Sequence, residues 1–200
     1  MRIVAGEFRG RAIAAPDGQD TRPTTDRVRE ALMSSIYSLN GGFEGISVLD
    51  AFAGSGALGL EALSRGAAHA DFFECDKGAA RVIESNIKAC GLSRDRVRLY
   101  RADVLRYFSV DGQVGTSEGS PYGLVFLDPP YAFGVDAALS FARVLGTSGA
   151  LADDAIIAVE YAQKDAARLE QAAGEFAIIK MRKYGKTGVA LLMRDEGRGE

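Results

Sequence analysis

Histidine is almost missing from this chain: its 200 residues include one, His69. That excludes a His-rich metal site and any mechanism needing two imidazoles. Cysteine is scarce too. Cys75 and Cys90 lie fifteen positions apart and form no CxxC pair, which excludes a zinc ribbon and a thioredoxin-type redox motif. No apolar run reaches membrane-spanning length, and the opening MRIVAGEFRGRA lacks the apolar core of a secretory signal. These absences predict a cytoplasmic protein with reduced thiols, without a metal or a membrane partner. A formal net charge of −3 excludes a uniformly basic packer of nucleic acid.

The charge is not spread evenly. Residues 103–175 hold 11 acids against 4 bases, whereas 176–194 hold five bases and no acid. Three arginines against one glutamate open the chain, within residues 1–11. The ends of the chain therefore keep the positive charge that a polyanion would need, and the acidity belongs to the middle.

A 47% hydrophobic composition argues against global disorder, and the length suits one domain spanning 1–200. Pro23, Thr24 and Thr25 mark a helix start, with threonine as N-cap. Val28, Leu32, Ile36 and Leu39 then recur at helical spacing until Asn40-Gly41-Gly42 stops the helix. Residues 1–40 thus read as a short N-terminal extension. From 46 to 194, short apolar strands alternate with helical segments: strands at 46–50, 70–75, 97–101, 124–127 and 155–160, with a polar, glycine-rich loop at 111–123. Two last strand-like runs, 176–183 and 187–194, are joined by Tyr184-Gly185-Lys186 as a hairpin. The predicted fold is α/β: a doubly wound, mostly parallel seven-stranded sheet with a C-terminal antiparallel hairpin. Ligands of such sheets bind at the carboxyl ends of strands where the strand order reverses.

The candidate residues stand at those ends. After the first strand, Asp50 precedes a glycine turn, Phe52-Ala53-Gly54-Ser55-Gly56, with Gly59 completing a GxGxxG spacing. Such a turn lets a ligand approach the backbone. A carboxylate at Asp50 would repel a pyrophosphate but suit a cationic amino-acid portion, which favours S-adenosylmethionine over a dinucleotide. After the second strand, Glu74 can accept from ribose hydroxyls. Asp103, after the third, either accepts from an adenine amino group or caps the helix beginning at Val104, or does both. Cys75 reads as packing or as adenosine lining, not as a nucleophile, and His69 as a surface residue.

After the fourth strand stands Asp128-Pro129-Pro130-Tyr131. Two prolines cannot continue the ladder, so the chain leaves the sheet stiffly while its carbonyls still accept. Asp128 and a proline carbonyl are fixed acceptors for both hydrogens of an exocyclic amino group. Tyr131 offers a face for stacking on the base, a contact worth about 1–3 kcal/mol.

Together these passages resemble the class I, Rossmann-like, S-adenosylmethionine-dependent methyltransferases, whose DPPY-type motif marks transfer to a nucleobase amino nitrogen. RIVAGEFRGR, RPTTDRVREALMSSI, LDAFAGSGALGLEALSRGA and LVFLDPPY, covering about the first two thirds of the chain, narrow the resemblance to the bacterial RsmD family. That family methylates N2 of a guanine in 16S ribosomal RNA. The resemblance implies that Asp50, Phe52, Gly54 and Gly56 line the cofactor, with Ala53 and Ser55 between them. It implies that Glu74 holds the ribose, with Cys75 and Asp76 beside it, and that Asp103 and Val104 lie near the adenine. Asp128, Pro129, Pro130 and Tyr131 would grip the target base, with S-adenosylhomocysteine as the product.

Phosphate contacts are assigned to Arg9, Arg11, Arg22, Thr24, Thr25, Arg27 and Arg29 near the N-terminus and to Lys183 and Lys186 in the hairpin. Lys180 and Arg182 belong to the same hairpin cluster. The implied partner is 16S ribosomal RNA, naked or within a small-subunit assembly particle, acted on by a monomer. Two other readings stand beside this one: an adenine-N6 DNA methyltransferase, for which 200 residues leave little room, and a non-catalytic RNA-binding assembly factor that keeps a methyltransferase fold, against which the intact DPPY argues.

Overall fold

The computed structural model describes residues 1–16, 26–110, 119–130 and 133–195. The chain runs α1 (Asp26–Asn40), β1 (Ser47–Asp50), α2 (Ala57–Ser64), β2 (His69–Phe73), α3 (Lys77–Cys90), β3 (Val97–Tyr100), α4 (Val104–Val110), β4 (Tyr122–Leu127), α5 (Gly134–Thr147), β5 (Leu151–Ala162), α6 (Ala166–Ala172), β6 (Phe176–Tyr184) and β7 (Thr187–Arg194). One seven-stranded sheet has the order β3-β2-β1-β4-β5-β7-β6. β1 to β5 pair in parallel, while β7 lies antiparallel between β5 and β6. The predicted doubly wound sheet with a closing hairpin is the fold observed.

This order places the switch point between β1 and β4. The chain leaves β1 outward to β2 and β3, then crosses back to β4 on the other side. Strand alternation sends Leu124 and Phe126 into one core layer, and Val125 and Leu127 into the other. On β5, Ile156 and Ala158 join the first layer, and Ile157 and Val159 the second. Both faces of the central strands are therefore buried, which is why β4 is almost wholly apolar.

Four expectations are corrected. β4 begins at Tyr122, inside the predicted 111–123 loop. The Tyr122 hydroxyl donates to Asp71 at 2.7 Å, so an aromatic beside a proline and a glycine is anchored in the sheet by a polar partner. β5 begins at Leu151, earlier than its apolar run, with the half-buried Ala152 and the exposed Asp153 and Asp154 continuing the strand. Leu39 does not join the buried stripe of α1 but stands 40% exposed, and Met33 is buried instead. His69 is not at the surface. It is 2% exposed, with one ring nitrogen 3.0 Å from Asp71 Oδ1 and the other 2.9 Å from the Asp95 carbonyl.

The first sixteen residues fold into the domain rather than beside it. An antiparallel bridge joins Arg2 to Ala12, and Ile3, Phe8 and Ile13 are buried in the same layer as α1 and α2. The Ser64 hydroxyl accepts from the Phe8 N–H and donates to the Ala5 carbonyl. Gly6 has φ 82°, and a β-carbon there would lie 1.7 Å from the Ser64 carbonyl oxygen. Only glycine lets the strap pass this close to α2.

Candidate active site

Three carboxylates converge at the carboxyl edge of the sheet. Asp50 ends β1, Glu74 follows β2 and Asp128 follows β4. The β1–β4 register pairs Asp50 with Phe126, so Asp128 lies two residues further along the adjacent strand. Asp50 is 3% exposed, and burial pushes its carboxyl up to about 7. The Gly59 N–H works the other way, while Asp128 and Glu74 raise it further by repulsion. Asp128 opens to solvent at the cleft mouth, yet the protein around it still desolvates its carboxyl enough to raise it to about 6. Like charges held this close favour a cationic ligand and disfavour a phosphate.

The glycine turn is built by two of these acids. Asp50 Oδ2 accepts from the Gly59 N–H at 3.0 Å, and Glu74 Oε2 accepts from the Gly54 N–H at 2.9 Å. Gly54 and Gly56 have φ of 55° and 74°, and nothing lies near a β-carbon built on Gly54. Their backbone is left-handed and, at Gly54, open to a ligand. Gly59 has another duty: a β-carbon there would meet the Phe72 ring at 2.4 Å, so this glycine lets α2 pack onto β2. Ala53 is buried, and Ser55 passes its carbonyl to Asn86 of α3.

The other predicted cofactor residues divide. Glu74 also accepts from the Asp76 N–H, and Asp76 in turn caps α3 by accepting from Ala79. Asp103 is exposed and accepts from Leu105 and Arg106, so the capping role holds. The Val104 side chain is buried with Phe73 and Phe108, leaving only its backbone for a ligand. Cys75 is exposed, and partial burial together with the Glu74 carboxylate pushes its thiol up, which suits lining rather than nucleophilic attack.

Around Asp128 lies a shallow, open cleft lined by Pro129, Pro130, Gly134, Glu160, Tyr161 and Asp165, among others. Tyr131 is outside the described residues. Phe133 stands 45% exposed, its ring 6.3 Å from that of Phe52. Phe133, Glu160 and Asp165 are additions to the sequence reading. An acid ending an apolar run was the available signal for Glu160.

The predicted cations are scattered. Arg29 is corrected: it is fully buried, pairs with Asp26 and Glu61, and donates to the Arg2 carbonyl, so it holds the N-terminal strap and cannot meet a phosphate. Arg9 and Arg11 are exposed, but Arg11 donates to the Ala89 carbonyl near the end of α3. The strap beside Arg9 is held at Ser64, the last residue of α2. Helices that follow parallel strands return to the opposite edge, so both arginines lie away from the carboxylate cluster. Arg27 is exposed in the first turn of α1. Arg22, Thr24 and Thr25 fall outside the described residues. Lys183 and Lys186 are exposed at the hairpin, whose turn pairs with the end of β5 and so reaches the carboxylate edge.

The strand order, the glycine turn and the acids at the ends of β1, β2 and β4 define a class I methyltransferase. A family model described as "Conserved hypothetical protein 95" matches residues 1–193. The chain is 37% identical over 160 residues to "Ribosomal RNA small subunit methyltransferase D" of Escherichia coli K12, covering 80% of this chain and 74% of that one. It is 35% identical over 191 residues to "Putative rRNA methyltransferase YlbH" of Bacillus subtilis, covering 96% and 97%. The solved structure "Putative methyltransferase yhhF from Escherichia coli" superposes with a TM-score of 0.79 at 32% identity, covering 97% of each chain. The chain belongs to the RsmD family of methyltransferases. Among the described residues, no helix is long and apolar enough to cross a membrane, and no group of three His, Cys, Asp or Glu side chains is placed to hold a metal.

Proposed function

We propose that this protein transfers a methyl group from S-adenosylmethionine to the exocyclic N2 amino group of a guanine in 16S ribosomal RNA. The observation that carries the reading is the convergence of Asp50, Glu74 and Asp128 beside a glycine turn. Mutual repulsion there is relieved by a cationic, phosphate-free ligand. When bound, S-adenosylmethionine supplies a methyl group on a sulfonium, which departs as the thioether S-adenosylhomocysteine. Asp50 faces the cationic amino-acid portion, Glu74 the ribose, and Asp103 with the Val104 backbone the adenine. The relatives named as ribosomal RNA methyltransferases support RNA as the substrate.

At the acceptor end, Asp128 and a proline carbonyl hold the amino hydrogens. This turns the nitrogen lone pair toward the methyl donor. A carboxyl near 6 is also matched to accepting the proton that the methylated nitrogen must shed at neutral pH. The base must leave its stack, which costs a few kcal/mol. Tyr131, from sequence, and Phe133 are the aromatic faces available to it.

The raised carboxyls give a pH signature. A folded-state pKa above the ordinary 3.8 means the native protein holds its proton more tightly than the unfolded chain. The stabilisation from Asp50 is complete below about pH 4 and is lost as pH rises through about 7. Asp128 has the same sign, with its loss centred near 6. A cationic ligand restores what the ionised pair has lost. S-adenosylmethionine should therefore raise the melting temperature more at pH 8 than at pH 5.5. Equal shifts at the two pH values would contradict a carboxylate-held cation.

For RNA, we assign phosphate contacts to the hairpin, Arg182, Lys183 and Lys186, and to Arg27. The register Glu160↔Val189↔Arg182 sets Arg182 in the same row as the cleft wall. Lys180 donates to Ser35 at 2.9 Å and is partly occupied. Replacing Arg182, Lys183 and Lys186 together by alanine should weaken binding of small-subunit RNA and flatten its salt dependence. The slope should fall by about 0.7 log units per log salt for each phosphate no longer neutralised. Fluorescence anisotropy across a salt series measures this, and an unchanged slope would move the footprint elsewhere.

A further inference from the structure

We propose that Glu160 selects guanine in this site, its carboxylate accepting from the base N1–H and sharing one N2–H with the proline carbonyl, while Asp128 accepts the other N2–H. This rests on the guanine reading above and names the residue that enforces it.

The placement comes from the sheet. β4 and β5 run parallel, with Leu127 paired to Val159. Asp128 directly follows the end of β4 and Glu160 directly follows Val159 on β5, so the two leave a paired position where the strands run about 5 Å apart. Leu127 and Val159 both point into one core layer, and Phe126 and Ala158 into the other. Asp128 and Glu160 continue the Phe126–Ala158 side, so they emerge side by side on one face. Both line the same cleft with Pro129, Pro130 and Tyr161, and Glu160 is half-buried there.

The chemistry then discriminates. Guanine presents two adjacent donors, N1–H and N2–H₂, and an ionised carboxylate is acceptor-only with two oxygens. Adenine presents its amino group beside a bare N1 that accepts, which would face Glu160 with no hydrogen between them. An acceptor then faces an acceptor, and that repulsion disfavours adenine where guanine finds a complementary edge. Three donors on the guanine edge thus meet acceptors on two neighbouring strands. The DPPY turn supplies acceptors for the amino group alone, which adenine also carries, so the guanine choice needs this second acid.

The test exchanges one acceptor for a donor and one base for its partner. 2-Aminopurine keeps the N2 amino group but has a bare N1. The guanosine methylated by the wild-type protein is first mapped in small-subunit RNA, and an RNA carrying 2-aminopurine there is compared with the guanine form. The wild type should favour guanine. Glu160→Gln offers an amide N–H to N1 and an oxygen to N2–H, and should shift the ratio toward 2-aminopurine by about 10–100-fold. Glu160→Ala should erode the preference without reversing it, and unchanged S-adenosylmethionine binding certifies that each variant is folded. Equal loss on both RNAs, or a ratio matching the wild type, overturns the role of Glu160 and leaves the proposed function standing. No transfer to guanine by the wild type overturns the function itself and takes this inference with it.

Discussion

Asp128→Ala should remove methyl transfer, lowering turnover by about 10²–10⁴-fold, while S-adenosylmethionine still binds. Asp128 follows β4, one strand from Asp50 at the switch point, and is itself followed by two prolines that fix its direction. Its carboxylate has two tasks that alanine cannot perform: holding the amino group with its lone pair outward, and receiving a proton afterwards. Asp128→Asn separates them. The amide oxygen still accepts a hydrogen bond but takes no proton at neutral pH, so the base should still bind while turnover falls. Removing this charge also relieves repulsion on Asp50, whose carboxyl should drop from about 7. Single-turnover transfer beside calorimetric cofactor binding checks both halves. Near-wild-type transfer by Asp128→Ala would mean that some other group orients the amine.

Glu61→Ala should be the most destabilising substitution outside the cleft, at about 3–5 kcal/mol. Glu61 lies fully buried in α2. It accepts from the Val4 and Ala5 N–H groups at 2.9 and 3.0 Å and from Arg65 Nε at 3.0 Å, with Arg29 Nε 3.4 Å away. Alanine would leave the buried Arg29 guanidinium with the partly exposed Asp26 in place of a buried counter-charge, and two strap N–H groups without an acceptor. The loss is a large share of a typical total of about 5–15 kcal/mol. At this chain length it corresponds to a fall in melting temperature of about 6–20 °C. Urea melts measure it directly. A change under about 1 kcal/mol would show that the burial of Ile3, Phe8 and Ile13 and the Ser64 hydrogen bonds hold the strap without Glu61.

The sheet was legible because alternation of short apolar strands with amphipathic helices leaves few topologies. The acids at strand ends were legible because parallel sheets bind ligands there. What the sequence hid depends on partners distant in the chain. His69 looks like a lone polar residue until Asp71 and Asp95 surround it. Arg29 stands among arginines that read as RNA contacts, and only Glu61, 32 residues on, shows why it is buried. Glu61 itself is a charge inside ALGLEALS, an apolar helix, which was the visible sign that it needed a buried counter-ion. Asp50 and Glu74 were read as ligand-facing, yet each also braces the glycine turn through a backbone N–H. Register was the other hidden quantity: Glu160 joins the site through its position beside Asp128.

Radiolabelled methyl transfer from S-adenosylmethionine to small-subunit RNA, offered naked and within assembling particles, with DNA as a parallel acceptor, tests the central claim most directly. The proposed reaction predicts label in RNA, recovered after digestion as N2-methylguanosine, and none in DNA. Label on adenine of either polymer, or no label with any acceptor, would contradict it.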